Sequence, residues 1–131
     1  MNSSAAVNGT LNNTIPVKEV NDHSLPIPHT FLIIGNRGYG FWPKNSGWPE
    51  SPGQVHNDFY HPWQEGRQYM VTPDQLAALL ASINANLNDW YDVSNLFGYN
   101  CTGWADAMLA NAGITGPQVF TGPAVENPWT H

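Results

Sequence analysis

Hydrophobic positions fall in short blocks separated by long polar stretches rich in Gly and Pro. The run Phe31-Leu32-Ile33-Ile34 is continuous rather than alternating. That pattern predicts a strand from His29 to Ile34 covered on both faces. Leu25-Pro26-Ile27-Pro28 is a proline-stiffened, extended approach to it. Gly35-Asn36-Arg37-Gly38 reads as a hairpin turn, and Tyr39-Gly40-Phe41-Trp42 as the partner strand, stopped by Pro43. Residues 43–66 show little periodicity and read as a long loop, a feature associated with function in a compact domain. Gln68 to Val71 predicts a short strand. Thr72 then supplies a helix N-cap, Pro73 the first helical position and Gln75 the reciprocal half of a capping box. Leu76, Leu79, Leu80, Ile83 and Leu87 follow at helical spacing, so this helix should bury one face and end near Asn88. Residues 89–99 read as a second loop, anchored by Trp90, Tyr91, Leu96, Phe97 and Tyr99. A second helix is predicted from about Cys101 to Ala112, with Trp104, Ala105, Met108 and Ala112 as its buried stripe. Gly113 and Ile114 close it as a C′ glycine followed by an apolar residue.

The ends look different. Residues 1–24 are rich in Asn, Ser, Thr, Ala and Val without a period, and read as a flexible arm or linker, as expected of a domain cut from a longer chain. The tail from Thr115 reads as an extended segment lying on the body. A single domain is therefore expected over 25–131.

Composition narrows the function classes. The chain has 131 residues, enough for one domain. Four Lys and Arg stand against ten Asp and Glu, a formal net charge of −6. That balance argues against nucleic acid and against a basic membrane-binding helix, both of which need clustered cations. The longest apolar run is far short of the roughly 20 residues of a membrane span. No basic stretch followed by an apolar core marks a signal peptide. One cysteine makes neither an internal disulfide nor a cysteine-rich zinc site.

That lone thiol lies in Asn100-Cys101-Thr102-Gly103-Trp104, at the expected start of a helix. The unpaired N–H groups and partial positive charge there stabilise a thiolate, and the same N–H groups can hold an oxyanion. The structural alternative is a small buried hydrophobe. A cysteine nucleophile needs an imidazole base and a third group to orient it. His29, at the mouth of the central strand, is the candidate base; alternatively it is a strand-end residue satisfied by backbone. His56 and His61 lie in the long loop around Asp58. Asp58 then has two readings, as the group orienting His29 or, with His56 and His61, as part of a metal site. The spacing is not that of a helical zinc motif, and Pro62 opposes a helix. Asp106 is expected to face water. Trp42, Trp48, Phe59, Tyr60 and Trp63 either line a groove or hold the loop to the body.

A histidine heading a strand, a partner strand, then a cysteine opening a helix resembles the circularly permuted papain-like cysteine hydrolases. These include permuted relatives of NlpC-like peptidoglycan peptidases and the lecithin retinol acyltransferase-like enzymes. The stretches that carry the resemblance are Pro28-His29-Thr30-Phe31-Leu32-Ile33, Tyr39-Gly40-Phe41-Trp42-Pro43, Tyr69-Met70-Val71-Thr72-Pro73-Asp74-Gln75-Leu76, Asn100-Cys101-Thr102-Gly103-Trp104-Ala105 and Ala112-Gly113-Ile114. They are similar to bacterial effector and polymorphic-toxin domains of this type, and together span about residues 28–114. The resemblance implies an α+β, permuted papain-like fold: a small antiparallel sheet with the nucleophile helix packed against it. It implies Cys101 as nucleophile and His29 as general base. Many relatives carry a polar residue on the strand after the histidine, whereas Tyr39, Gly40, Phe41 and Trp42 stand here, so Asp58 is the candidate third member. Trp42, Trp63 and Tyr39 are the candidate substrate contacts. The implied activity is a peptidoglycan amidase or peptidase, delivered as a secreted antibacterial toxin into the periplasm of a target cell. It would be a monomer needing no cofactor or metal, with a cognate immunity protein as a possible partner. A lipid acyl hydrolase or acyltransferase of the same fold and a non-catalytic binding domain are the alternatives.

Overall fold

The structure, a computed structural model, describes residues 15–115 and 119–121. The elements run β1 (Ile15–Asp22), β2 (His29–Ile34), β3 (Arg37–Pro43), β4 (Glu50–His56), β5 (Glu65–Val71), α1 (Pro73–Ala85), β6 (Trp90–Asp92), α2 (Cys101–Asn111) and β7 (Val119–Thr121). The strands form one open sheet in the order β6-β4-β3-β2-β1-β5-β7, every neighbouring pair antiparallel. The class is α+β.

The hairpin from β2 to β3 forms as expected. Ile34 pairs with Arg37, leaving a two-residue turn of Gly35 at φ 61° and Asn36 with a negative φ. That is the II′ arrangement, which wants glycine first. The capping box of α1 is complete. Thr72 Oγ1 accepts from Gln75 N–H and Gln75 Oε1 accepts from Thr72 N–H, each at 3.0 Å. This helix stops at Ala85, short of the expected Asn88, so Leu87 falls past its end and is exposed. α2 ends as the sequence predicts: Gly113 adopts φ 68° and Ile114 is buried, its N–H bonded to Leu109 O at 3.0 Å.

Both faces of the sheet are covered, which accounts for the continuous apolar run of β2. On one face α2 lies over β2 and β3, and α1 packs against α2. Val17, Leu32, Phe41, Leu79, Ile83, Trp104 and Met108 make the core there, with the Phe41 and Trp104 rings stacked at 5.4 Å. Each such fully buried side chain contributes about 1.5–3 kcal/mol. On the other face Val20, Phe31 and Ile33 are covered by Phe59 and Trp63 from the loop 57–64.

Three segments depart from the sequence reading. Residues 15–22, expected within a flexible arm, form β1 in the interior of the sheet, hydrogen-bonded to β2 and β5. Val17 serves one face and Val20 the other, so no alternation of apolar and polar residues advertises the strand. Residues 1–14 of that arm lie outside the described residues. The expected loop 43–66 contains β4. Its Pro52 and Gly53 look like loop residues, but Gly53 is required by packing, because a β-carbon there would overlap the Phe41 ring. The expected loop 89–99 contains the short β6. Of the tail from Thr115, residues 119–121 add β7 to β5, and 116–118 and 122–131 lie outside the described residues. No helix among the described residues is long and apolar enough to cross a membrane.

Candidate active site

Asn100 sets the position of the thiol. Its backbone is extended, and its Oδ1 accepts from Gly103 N–H at 2.7 Å, which makes Cys101 the first helical residue. Asn95, at φ 62°, accepts from Asn100 N–H at 3.0 Å. Its amide leaves no room for a β-carbon at Gly103. Asp92 gathers the same loop by accepting from Ser94 N–H and Oγ, Leu96 N–H and Phe97 N–H. The bonds to Phe97 and its neighbours hold the Asp92 carboxyl below its ordinary range. The helix start is thus braced from behind. The backbone N–H groups of Cys101 and Thr102 have no acceptor among the described residues.

Cys101 and His29 are buried, 7% and 3% exposed. Facing Cys101 is the first turn of β2. Thr30 N–H donates to its Sγ at 3.4 Å, and the thiol reaches Pro28 O at 3.7 Å. His29 is the first residue of β2. Its Nε2 lies 2.8 Å from Asp58 Oδ2, and the same oxygen accepts from Trp42 Nε1 at 2.9 Å. Because a carboxylate oxygen only accepts, Nε2 carries the ring hydrogen. Nδ1 is left without the ring hydrogen, and Cys101 is close enough for the two groups to perturb each other's titration. The Trp42 ring covers His29 at 3.9 Å between centroids, and Phe31 stacks at 5.5 Å.

The electrostatics follow. Burial alone would lower the His29 pKa, but the Asp58 and Cys101 groups beside it outweigh that and shift it upward. Burial alone would raise the Cys101 thiol, but the neighbouring His29 ring and the Thr30 N–H outweigh that and shift it downward. The opposed shifts bring the two titrations toward each other, in the direction of a thiolate–imidazolium pair.

Asp58 reaches this position from the loop 57–64 because β3 presents no side chain in its way. A β-carbon at Gly38 would overlap the backbone of Asp58 and Phe59, and one at Gly40 would overlap the Asp58 carboxylate itself. The carboxyl group of Asp58 therefore occupies the space that a side chain at position 40 would take. Glycine at 40 is the sequence trace of this arrangement.

Next to His29 stands a second pair. His61 Nε2 lies 2.8 Å from Asp22 Oδ2. Asp22 is fully buried and also accepts from Ser24 N–H, Ser24 Oγ and Gln64 Nε2. Burial opposes ionisation of Asp22, but these four bonds outweigh it and hold the carboxyl well below its ordinary range. The His61 ring stands edge-to-face to His29, Phe31 and Trp42, at 5.2, 5.4 and 5.9 Å. Asp22, beside His29 in the register of β1 and β2, gave no signal in the sequence.

The expected site residues divide. Cys101, His29 and Asp58 come together, and Trp42 joins them. Trp63 does not: it packs on the Val20, Phe31 and Ile33 cluster. Tyr39 does not either. It packs on the core beneath α2, because position 39 points to the opposite face of β3 from positions 40 and 42. Of the other loop aromatics, Trp48 lines the cleft over Cys101, Phe59 covers the second cluster and Tyr60 is exposed. His56, Asp58 and His61 do not converge as a metal-ligand group. His56 stacks on Trp42, while Asp58 and His61 take separate partners. Among the described residues no cluster of His, Cys, Asp and Glu is arranged to hold a metal ion. Asp106 is exposed, as expected, but neighbours Glu19, whose carboxyl is pushed up to about 9 by burial and by Asp106.

The cleft has a volume of about 430 Å³ and is bounded by Ile27, Pro28, Phe41, Trp42, Trp48 and Val93 among others, with His29 and Cys101 in its wall. Compared with protein-family models, with curated proteins and with solved structures, the chain matches none.

Proposed function

We propose that this protein is a cysteine-dependent hydrolase working by acyl transfer, with Cys101 as nucleophile, His29 as general base and acid, and Asp58 as the residue orienting His29. The observation that carries the reading is the hydrogen bond from Asp58 to His29, with His29 and Cys101 side by side in the wall of one cleft. In the first half-reaction the proton of the thiol passes to His29 Nδ1 and the thiolate sulfur bonds to the substrate carbonyl carbon. The oxyanion is held by the free N–H groups of Cys101 and Thr102. Collapse breaks the carbonyl–nitrogen bond, and the amine leaves with the proton from His29. In the second half-reaction water gives a proton to His29 and attacks the thioester carbonyl. The sulfur leaves and is reprotonated, releasing the acid.

The histidine strand preceding the nucleophile helix supports a permuted papain-like arrangement. With it comes the substrate class that the resemblance implies, an amide of a peptidoglycan peptide, in the setting of a secreted antibacterial effector. Digesting purified peptidoglycan sacculi with the wild type and with Cys101→Ala, and comparing fragments by mass spectrometry, tests this. New fragments are expected from the wild type alone. Identical digests would overturn the peptidoglycan assignment.

A further inference from the structure

We propose that the cleft over Cys101 is an acyl-group subsite that accepts an uncharged, apolar group and rejects an anionic one. The inference rests on the hydrolase reading, since it takes the scissile carbonyl to sit at the thiol. A volume of about 430 Å³ is that of a site for a small ligand. Among the described residues no Asp, Glu, Lys or Arg side chain lines it; Ile27, Trp42, Trp48, Tyr91 and Val93 form its walls. Apart from the neutral hydroxyls of Ser46 and Tyr91, the polar groups nearest to it are already engaged. The Trp42 indole N–H is given to Asp58. The Asp92 carboxylate, between Tyr91 and Val93, is turned into its own loop by four bonds. His29 Nε2 is given to Asp58. A carboxylate entering the cleft would give up its hydration and meet no Lys or Arg in the described lining, and the His29 ring there is already paired with Asp58. A methylene entering it leaves water for aromatic and aliphatic walls, worth about four-fold per group buried.

An apolar acyl group has two sources, the neutral side chain of a peptide residue or the aliphatic chain of an ester lipid. On the peptide reading, the residue supplying the scissile carbonyl is neutral and the anionic residues of the substrate lie outside the cleft.

The test uses the full chain and p-nitrophenyl acetate, butyrate, hexanoate and the glutarate half-ester, with acylation of Cys101 followed by intact mass and by p-nitrophenolate release. Acylation is expected to rise about four-fold per buried methylene. The glutarate should fall on the order of 100-fold or more below the hexanoate. Val93→Lys, at the exposed mouth, should narrow or invert that gap. Equal acylation by hexanoate and glutarate would overturn the proposal while leaving the hydrolase reading intact. A second measurement is independent of catalysis. Hexanamide, but not glutaramate, should shift the indole N–H resonances of Trp42 and Trp48 in Cys101→Ala. Shifts from both or from neither would overturn it. Selective shifts in that variant with no acylation of the wild type would sink the hydrolase reading and leave the subsite standing. Cleavage of N-acetyl-leucine p-nitroanilide over its aspartate counterpart, against cleavage of dihexanoyl phosphatidylcholine, assigns the source.

Discussion

His29 and His61 lie 5.2 Å apart, and each holds an aspartate oxygen at 2.8 Å through Nε2. By that measure the two pairs are alike. They differ in what surrounds the aspartate and in what faces the other side of the ring. Among the described residues Asp58 has only the His29 ring and the Trp42 indole as side-chain partners, and beyond its histidine stands a thiol at a helix start. Asp22 is saturated by Ser24 and Gln64 as well as His61, and no thiol lies beyond it. A histidine–carboxylate bond is therefore no signature of catalysis. On the proposed reading the first pair moves a proton to and from sulfur. The second ties the end of β1 to the loop that delivers Asp58.

The sharpest way to break this comparison is to remove each ring in turn. His29→Ala should slow acylation of Cys101 by about 10⁴-fold or more, since members of such a unit act together. His61→Ala should stay within about tenfold of wild type wherever the protein is folded, because His61 touches the ring and not the reacting atoms. Ester burst kinetics beside circular dichroism distinguish the two. Equal losses in two equally folded variants would break the assignment of roles.

Asp58→Asn comes next. The amide no longer obliges Nε2 to carry the hydrogen, so the fraction of His29 with Nδ1 free falls, and a loss of about 10²–10⁴-fold is expected. The pH dependence should move with it. In the wild type the raised His29 pKa and the lowered Cys101 pKa place the alkylation midpoint of Cys101 by iodoacetamide below the ordinary thiol value of about 8.5. In Asp58→Asn the imidazolium loses support and the midpoint should rise. A midpoint unmoved by this change would mean that Asp58 does not act through His29.

Gly40→Ala has a smaller expected effect and bears directly on what a sequence reader can see. The added methyl group would meet the Asp58 carboxylate and lie about 2.9 Å from His29 Nε2. Activity should fall by roughly 10–100-fold with a stability cost of about 1–3 kcal/mol, the range for overpacking. Denaturant midpoints and burst rates measure the two. The helix that positions Cys101 was legible, because Asn100 as cap, Gly113 as stop and the apolar stripe between them are local signals. So was His29, at the head of a run too apolar to be one-sided. Asp58 could be named as the third residue but not explained, because its route to His29 is a vacancy at Gly38 and Gly40 that exists only once β3 and the loop 57–64 are packed. β1 and β4 were missed for related reasons. Val17 and Val20 serve opposite faces, and Pro52-Gly53 imitates a turn while Gly53 accommodates Phe41. Tyr39 and Trp63 were misassigned because residue type does not reveal which face of a sheet a side chain meets.

Asp22→Asn is the smallest perturbation of activity and the clearest of stability. The Asp22 carboxyl is held below its ordinary range in the folded protein. Its stabilising contribution is therefore present in full above the unfolded carboxylate value of about 3.9 and is lost as the pH falls from there toward the folded value. Replacing it with Asn weakens the charge-assisted bonds from Ser24, His61 and Gln64, and should cost about 1–3 kcal/mol at neutral pH. The difference between wild type and variant should shrink in acid, as the wild-type carboxylate itself takes up a proton. Urea titrations of both proteins along a series of pH values give that difference directly. Acylation by the folded variant at neutral pH should remain within about tenfold of wild type, because Asp22 anchors the loop and donates nothing to the reaction. A difference that stayed constant through the acid range would mean that Asp22 is not ionised in its pocket. His61 would then be held by a neutral carboxyl group, and the two pairs would differ in charge as well as in role.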